Sequence, residues 1–223
     1  MDSSFTGNKM RRLRIRIRRG RFPRSRPSVG TTMKKILLAA VAFAASTAPA
    51  FAHLDPAEHG SFLSGVTHPL SGLDHILVMV AVGLWAAQIG GRALWAVPAA
   101  FVGTMASGFV LAMTGVSLPF VEPTILASIV ALGLLVTLAV RMNTAACAAV
   151  VGVFALFHGY AHGGELGEAG APPFSAGFII ATALLHAAGI GLGLGIGRLS
   201  SGRILSRILG GFTAFAGLAL ILG

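Results

Sequence analysis

The sequence is short of charge, short of tyrosine and all but free of cysteine. Asp, Glu, Lys and Arg make up only 11% of the 223 residues, against about 25% in soluble globular domains. The single cysteine, Cys147, excludes an intramolecular disulfide framework, a four-cysteine zinc site and CxxC redox chemistry. Lysine is absent after Lys35, which removes the P-loop and any ATPase built on it. There is no HExxH zinc motif and no nucleophile with a base at catalytic spacing, so an enzyme is not expected. What the chain does have is apolar residues, 55% of the total, with a mean hydropathy of +0.82. Neither a soluble domain nor a disordered chain has that composition.

The net charge of +10 is unevenly spread. Residues 1–35 hold twelve of the seventeen basic residues and one of the seven acids. Residues 53–223 carry Arg92, Arg141, Arg198, Arg203 and Arg207 against six acids. The basicity therefore belongs to one end, and a nucleic-acid partner is not expected of the rest. Met33-Lys34-Lys35 forms a positive n-region, Ile36 to Ala45 an apolar h-region, and Ala50-Phe51-Ala52 a small-x-small cleavage site. The expected organisation is an Arg-rich leader over 1–32, a signal peptide over 33–52 cleaved after Ala52, and one transmembrane domain over 53–223. The leader fits no part of a signal peptide, so translation is expected to start at Met33, the leader being otherwise disordered. A basic RNA-binding arm and an uncleaved anchor helix are the other readings of this end.

A membrane-spanning helix needs about 20 apolar residues. Arg, Pro and Gly punctuation divides residues 53–223 into six such runs: Leu70 to Ile89, Ala93 to Thr114, Thr124 to Val140, Thr144 to Phe157, Phe174 to Gly197, and Ile204 to Leu222. The fourth is short and borrows from His158 to His162. The expected fold is all-α, a polytopic bundle of six transmembrane helices after a cleaved signal peptide. It would lie in the bacterial inner membrane with His53 periplasmic. Arg92, Arg141, Arg198 and Arg203 then fall in cytoplasmic connections, with Arg207 in the first turn of the sixth span, as the positive-inside rule requires. Asp55, Glu58, Glu122, Glu165 and Glu168 fall outside, where their field would concentrate cations.

The remaining acid, Asp74, adjoins His75, and His68 lies seven residues earlier. A helix running through His68 would put both imidazoles on one face with Met79 one turn below. Ionisable groups in a bilayer cost about 2.5–3.5 kcal/mol on insertion scales, so they pair, bind something or line a wet path; an Asp–His pair at headgroup level is the plainer account. His158 and His162 are spaced i, i+4, with Glu165 three further on, which is ligand spacing on a helix. Gly159, Gly163 and Gly164 would let another backbone or a hydrated ion approach. His186 follows Thr182 by one turn, and Gly189, Gly193 and Gly197 continue that stripe as a packing face. His186 should therefore point into the bundle, as a second station of a pathway or as a structural histidine bonded to a carbonyl. His53, once N-terminal, could chelate through its amine and imidazole, with Asp55, Glu58 and His59 beside it at an outer mouth.

Imidazole and carboxylate without thiolate suit Ni2+, Co2+, Zn2+ or Cu2+ better than Cu+. His68-Pro69-Leu70-Ser71-Gly72-Leu73-Asp74-His75, Phe157 to Glu165, and the Thr182 and Leu185 to Gly189 stretch together resemble the HupE/UreJ family over essentially all of residues 53–223. The resemblance implies a hydrogenase or urease accessory membrane protein acting as a permease, with nickel as cargo, or in some members cobalt or another metal. It carries over His68, Asp74, His75, His158, His162 and Glu165 as ligands and implies no organic cofactor. Imidazole must be neutral to bind metal, so uptake is expected to fall as pH drops through about 6.5. A membrane metalloenzyme or haem protein using the same histidines, and a metal-delivery protein that does not conduct, are the rival readings. Whether the chain forms a homo-oligomer is left open.

Overall fold

A computed structural model describes residues 61–166 and 170–222, with side chains through residue 163 and from residue 170. The leader, the signal peptide, His53 and His59 lie outside the described residues, as does the Glu165 side chain. Every described element is helical: α1 (Phe62–Ser71), α2 (Leu73–Ile89), α3 (Ala93–Met113), α4 (Val121–Thr137), α5 (Thr144–Leu166), α6 (Ala171–Gly197) and α7 (Gly202–Leu222). All belong to one compact unit, Thr47–Gly223. Helices α3, α6, α7 and the Thr144–Gly163 part of α5 are long and apolar enough to cross a membrane, and α1 with α2 passes the same test as a bent pair. The chain is thus a multi-pass helical membrane protein. Its outward side chains agree: Trp95, Ile204, Ile208, Phe212 and Phe215 are exposed and apolar, an arrangement stable in lipid and costly in water.

The expected boundaries need adjustment at three places. The first run is not one helix. Ser61 caps α1, its side chain accepting from Ser64 N at 3.0 Å, but α1 stops at Ser71. Gly72 is extended (φ −89, ψ 121) and α2 departs at 83° to α1. A Cβ there would lie 2.6 Å from Asp74 Oδ1 and 2.7 Å from His75 Nδ1, so any other residue would displace the Asp74 and His75 side chains. The fourth run passes Phe157 through His158 to His162, as expected, and goes on unbroken to Leu166. The third ends at Thr137 rather than Val140, with Ala139 in the left-handed region (φ 52). The carbonyls freed there find donors on other helices. Trp85 Nε1 donates to Val140 O (2.9 Å), Gln88 Nε2 to Val136 O (3.0 Å) and Arg207 Nε to Thr137 O (2.6 Å).

Close packing rests on glycines in pairs. The four most extensive helix contacts are α3 with α5, α4 with α7, α2 with α6, and α1 with α6. Each is built on two facing glycines: Gly108 and Gly159, Gly133 and Gly210, Gly83 and Gly189, and Gly65 and Gly177. A Cβ at any of the eight would collide with the backbone of the neighbouring helix. Lipid supplies no hydrophobic drive between helices, so contact depends on backbones approaching closely through small residues. The Gly189 stripe on α6 packs as expected through Gly193, whose Cβ would lie 2.6 Å from that of Ala87; at Gly197 it meets nothing. Substituting Gly83→Leu or Gly159→Leu should therefore cost at least about 1–3 kcal/mol, read as a lower melting temperature in detergent. Gly103→Ala and Gly195→Ala, where the added methyl meets nothing within 4 Å, should leave stability unchanged or raise it by up to about 1 kcal/mol. Equal tolerance of both classes would contradict the packing account.

Candidate metal site

Three helices deliver one imidazole each to the same point. His68 comes from the last turn of α1, His75 from the first turn of α2 and His162 from the outer part of α5. Each offers a ring nitrogen, and the three nitrogens lie within 4.8 Å of one another. Ring centroids are 4.5 Å apart for His68 and His162, 4.7 Å for His75 and His162, and 5.7 Å for His68 and His75. The convergence comes from the bend at Gly72, and not from the stacking along one helix that a continuous span would have produced.

Nε2 of His75 and Nε2 of His162 are 2.6 Å apart. At that distance one nitrogen must carry a proton and donate it to the other. Asp74 Oδ2 sits 2.9 Å from Nδ1 of His75; a carboxylate there favours the tautomer with the proton on Nδ1 and leaves the Nε2 lone pair facing His162. His162 is then the donor, and binding a cation through its Nε2 requires the tautomer with the proton on Nδ1. Two imidazoles on one ion, with nitrogens about 2.0–2.1 Å from it, stand roughly 2.9–3.4 Å apart for bond angles of 90–110°. A parting of less than 1 Å converts the pair to a chelate.

The triad opens into a cavity of about 390 Å3 whose wall includes Asp74 and Glu122. Six water molecules occupy roughly 180 Å3 in the liquid, so the cavity has room for a cation that keeps much of its hydration shell. Exposure falls along the way in. Glu122 is exposed, Asp74 and His68 are half-buried, and His75 and His162 are buried. Beside the triad the rings of Phe174 and Phe178 stack with centroids 5.9 Å apart, Phe178 lying 4.8 Å from His162 and Phe174 5.7 Å from His68.

Of the six residues expected to act as ligands, the structure brings His68, His75 and His162 to one point and sets Asp74 behind His75. His158 is fully buried one turn below His162. Its Nδ1 donates to Phe154 O at 2.9 Å, and its ring lies 5.7 Å from that of His75. Glu165 is on the last turn of α5, its side chain outside the described residues. Met79 is buried in the apolar core. His186 points into the bundle, 1% exposed, against the ring of Phe101 at 4.9 Å. Gly159 and Gly163 face the α3 backbone at Met105 and Phe109, so they admit a neighbouring helix.

Four residues at or beside the site are not singled out as site residues by the sequence. Glu122 stands there only as an outer-face acid, though an acid opening an apolar span at the same end as Asp74 is a usable signal. Phe174 and Phe178, against the triad, carry none beyond general apolarity. Tyr160, between the two histidines of α5, donates its hydroxyl to Val116 O (2.7 Å) and accepts from Leu118 N (3.1 Å); it thereby ties the α3–α4 connection to the mouth.

Comparison with known proteins agrees with this geometry. The family described as HupE / UreJ protein matches residues 40–220. The chain is 48% identical over 183 residues to Protein HupE of Rhizobium leguminosarum bv. viciae, covering 81% of this chain and 95% of that protein. No solved structure matches.

Asp74→Asn keeps the side-chain shape and removes the charge behind His75. It should weaken divalent-metal binding by about 10–100-fold, while His75→Ala or His162→Ala should abolish binding at this site. Isothermal titration of the purified protein reads both. Unchanged affinity in Asp74→Asn would show that the carboxylate does not orient the ligand.

Proposed function

The chain belongs to the HupE / UreJ family, and from that premise we propose that it is a permease for a divalent transition-metal ion, with nickel as cargo. Capture takes place on the periplasmic side, and the ion passes inward without ATP hydrolysis. The observation that carries this reading is the convergence of three imidazole nitrogens within 4.8 Å at the base of a cavity with two carboxylates in its wall. Imidazole with carboxylate suits Ni2+ and its first-row neighbours; affinity order alone does not choose among them, and Co2+, Zn2+ and Cu2+ are the competitors.

In the full topology we propose, α1 and α2 together make one bent span, α3 to α7 make five more, and the mature N-terminus is periplasmic. At 17 residues, α4 would reach about 26 Å, enough for a locally thinned bilayer. Arg92, Arg141, Arg198 and Arg203 all fall at the end of the bundle opposite the triad, which supports a cytoplasmic side there.

The steps follow from the charge and burial gradient. Glu122 and Asp74, with His53 and His59 as further candidates upstream, raise the local cation concentration at the mouth. The triad exchanges water for imidazole, the His162 proton moving from Nε2 to Nδ1 as the ion takes the Nε2 lone pair. His158 lies directly below, so the ion's next contact is already within the membrane. A doubly charged ion moving down 100 mV, inside negative, gains about 4.6 kcal/mol, equivalent to a more than 10³-fold concentration ratio. That is ample for accumulation without nucleotide.

The test is flux into liposomes carrying the purified protein and a metal-sensitive dye, challenged in turn with nickel, cobalt, zinc and copper. Nickel should enter, faster with an inside-negative potential. Entry should fall at least 10-fold in His68→Ala and His162→Ala proteins that insert normally. Influx unaffected by both substitutions would rule the triad out of the path.

A further inference from the structure

Below the triad, three other helix faces meet around a second group of polar side chains. His158 of α5, Phe101 and Met105 of α3, and Thr182 and His186 of α6 are each 1% exposed or less. The ring of Phe101 lies 5.8 Å from that of His158 and 4.9 Å from that of His186. Thr182 Oγ1 donates to Met105 Sδ at 3.8 Å. His186 is eight residues along α6 from Phe178, which touches the triad, and so lies about 12 Å deeper at 1.5 Å per residue.

Buried polar atoms in proteins are paired as a rule. Here Nε2 of His158 and both ring nitrogens of His186 are buried with no hydrogen-bond partner among the described residues. Lipid offers none. Both imidazoles have a lone pair unused and lie against the ring of Phe101, and the paired Met105 thioether and Thr182 hydroxyl are buried one turn away on α3 and α6.

This donor set differs from the outer one in what it lacks. Helices α3 and α6 contain no Asp or Glu, and α5 contains only Glu165, two turns outward from His158. A hard cation such as Mg2+ or Mn2+ holds its water tightly and is repaid chiefly by anionic oxygen. A borderline cation such as Ni2+ exchanges water for imidazole nitrogen readily.

We infer that His158, His186 and Met105 form a second cation station inside the bundle, and that its imidazole and thioether donors, with no carboxylate on α3 or α6 and Asp74 reaching it only from behind His75, reject hard divalent cations which the outer cavity admits. The inference rests on the permease reading and deepens it: the outer cavity collects, and the inner station selects.

Nickel binding at saturation and liposome flux, measured on the full chain, test it together. His186→Leu should bind one Ni2+ fewer than the wild type while keeping the ion lost in His162→Ala, and its nickel flux should fall at least 10-fold. His186→Gln, which keeps a polar group of similar size, should do the same and decides the matter if the leucine variant does not fold. His186→Asp should raise Mn2+ flux relative to Ni2+ by at least 10-fold. An unchanged ion count with nickel flux within twofold of wild type in the Leu and Gln variants would overturn the station and leave the permease intact. A wild type that moves no nickel, yet loses one bound ion on substitution of His186, would overturn the permease and leave the station.

Discussion

The arrangement depends on the break at Gly72. An uninterrupted helix from Phe62 to Ile89 would carry His68 about 10 Å along the axis from His75, too far for one ion. The 83° turn folds α1 back over the end of α2 and sets His68 against His162. Asp74 and His75 crowd the turn so closely that a side chain at residue 72 would push them out of place. The same turn therefore brings the ligands together and fixes the orientation of the carboxylate behind His75. Its stability comes from below, where Gly65 and Gly177 let α1 lie against α6.

Around this break the bundle follows one rule, that a polar atom in hydrocarbon must find a partner in protein or cargo. At the arginine-rich end the rule is met by protein: Trp85, Gln88 and Arg207 supply the carbonyls released at the end of α4. At the triad it is met by imidazoles sharing protons among themselves and with Asp74. At His186 it is met by nothing among the described residues, and each unsatisfied nitrogen costs about 1–3 kcal/mol. Gln88 Oε1, at the arginine-rich end, is likewise buried without a partner among the described residues.

Much of this was legible in the sequence, for reasons that also mark where legibility stops. The apolar helices could be read because hydrocarbon demands long apolar runs and the arginines punctuate them. The shared face of His158 and His162 could be read because residues four apart stack on a helix. The break at Gly72 could not, since a bent pair of apolar helices and a straight one have the same hydropathy. The extension of α5 through His162 could be read from its histidine spacing, but its continuation to Leu166 could not, since a glycine such as Gly163 looks like a helix end until it is seen against the α3 backbone. Glu122 joins the cavity through an approach between helices distant in the chain, which periodicity does not encode. On α6 the glycine stripe was read one turn too far, because a glycine that packs and a glycine that faces open space, as Gly197 does, are the same letter.

The central claim is that three imidazoles from α1, α2 and α5 close on one cation. X-ray absorption at the nickel edge of the metal-loaded, purified protein examines that contact without relying on flux or growth. The account predicts multiple-scattering features of at least two imidazole ligands, diminished in His75→Ala and in His162→Ala. A nickel shell of water and carboxylate oxygen alone, the same in wild type and both variants, would contradict it.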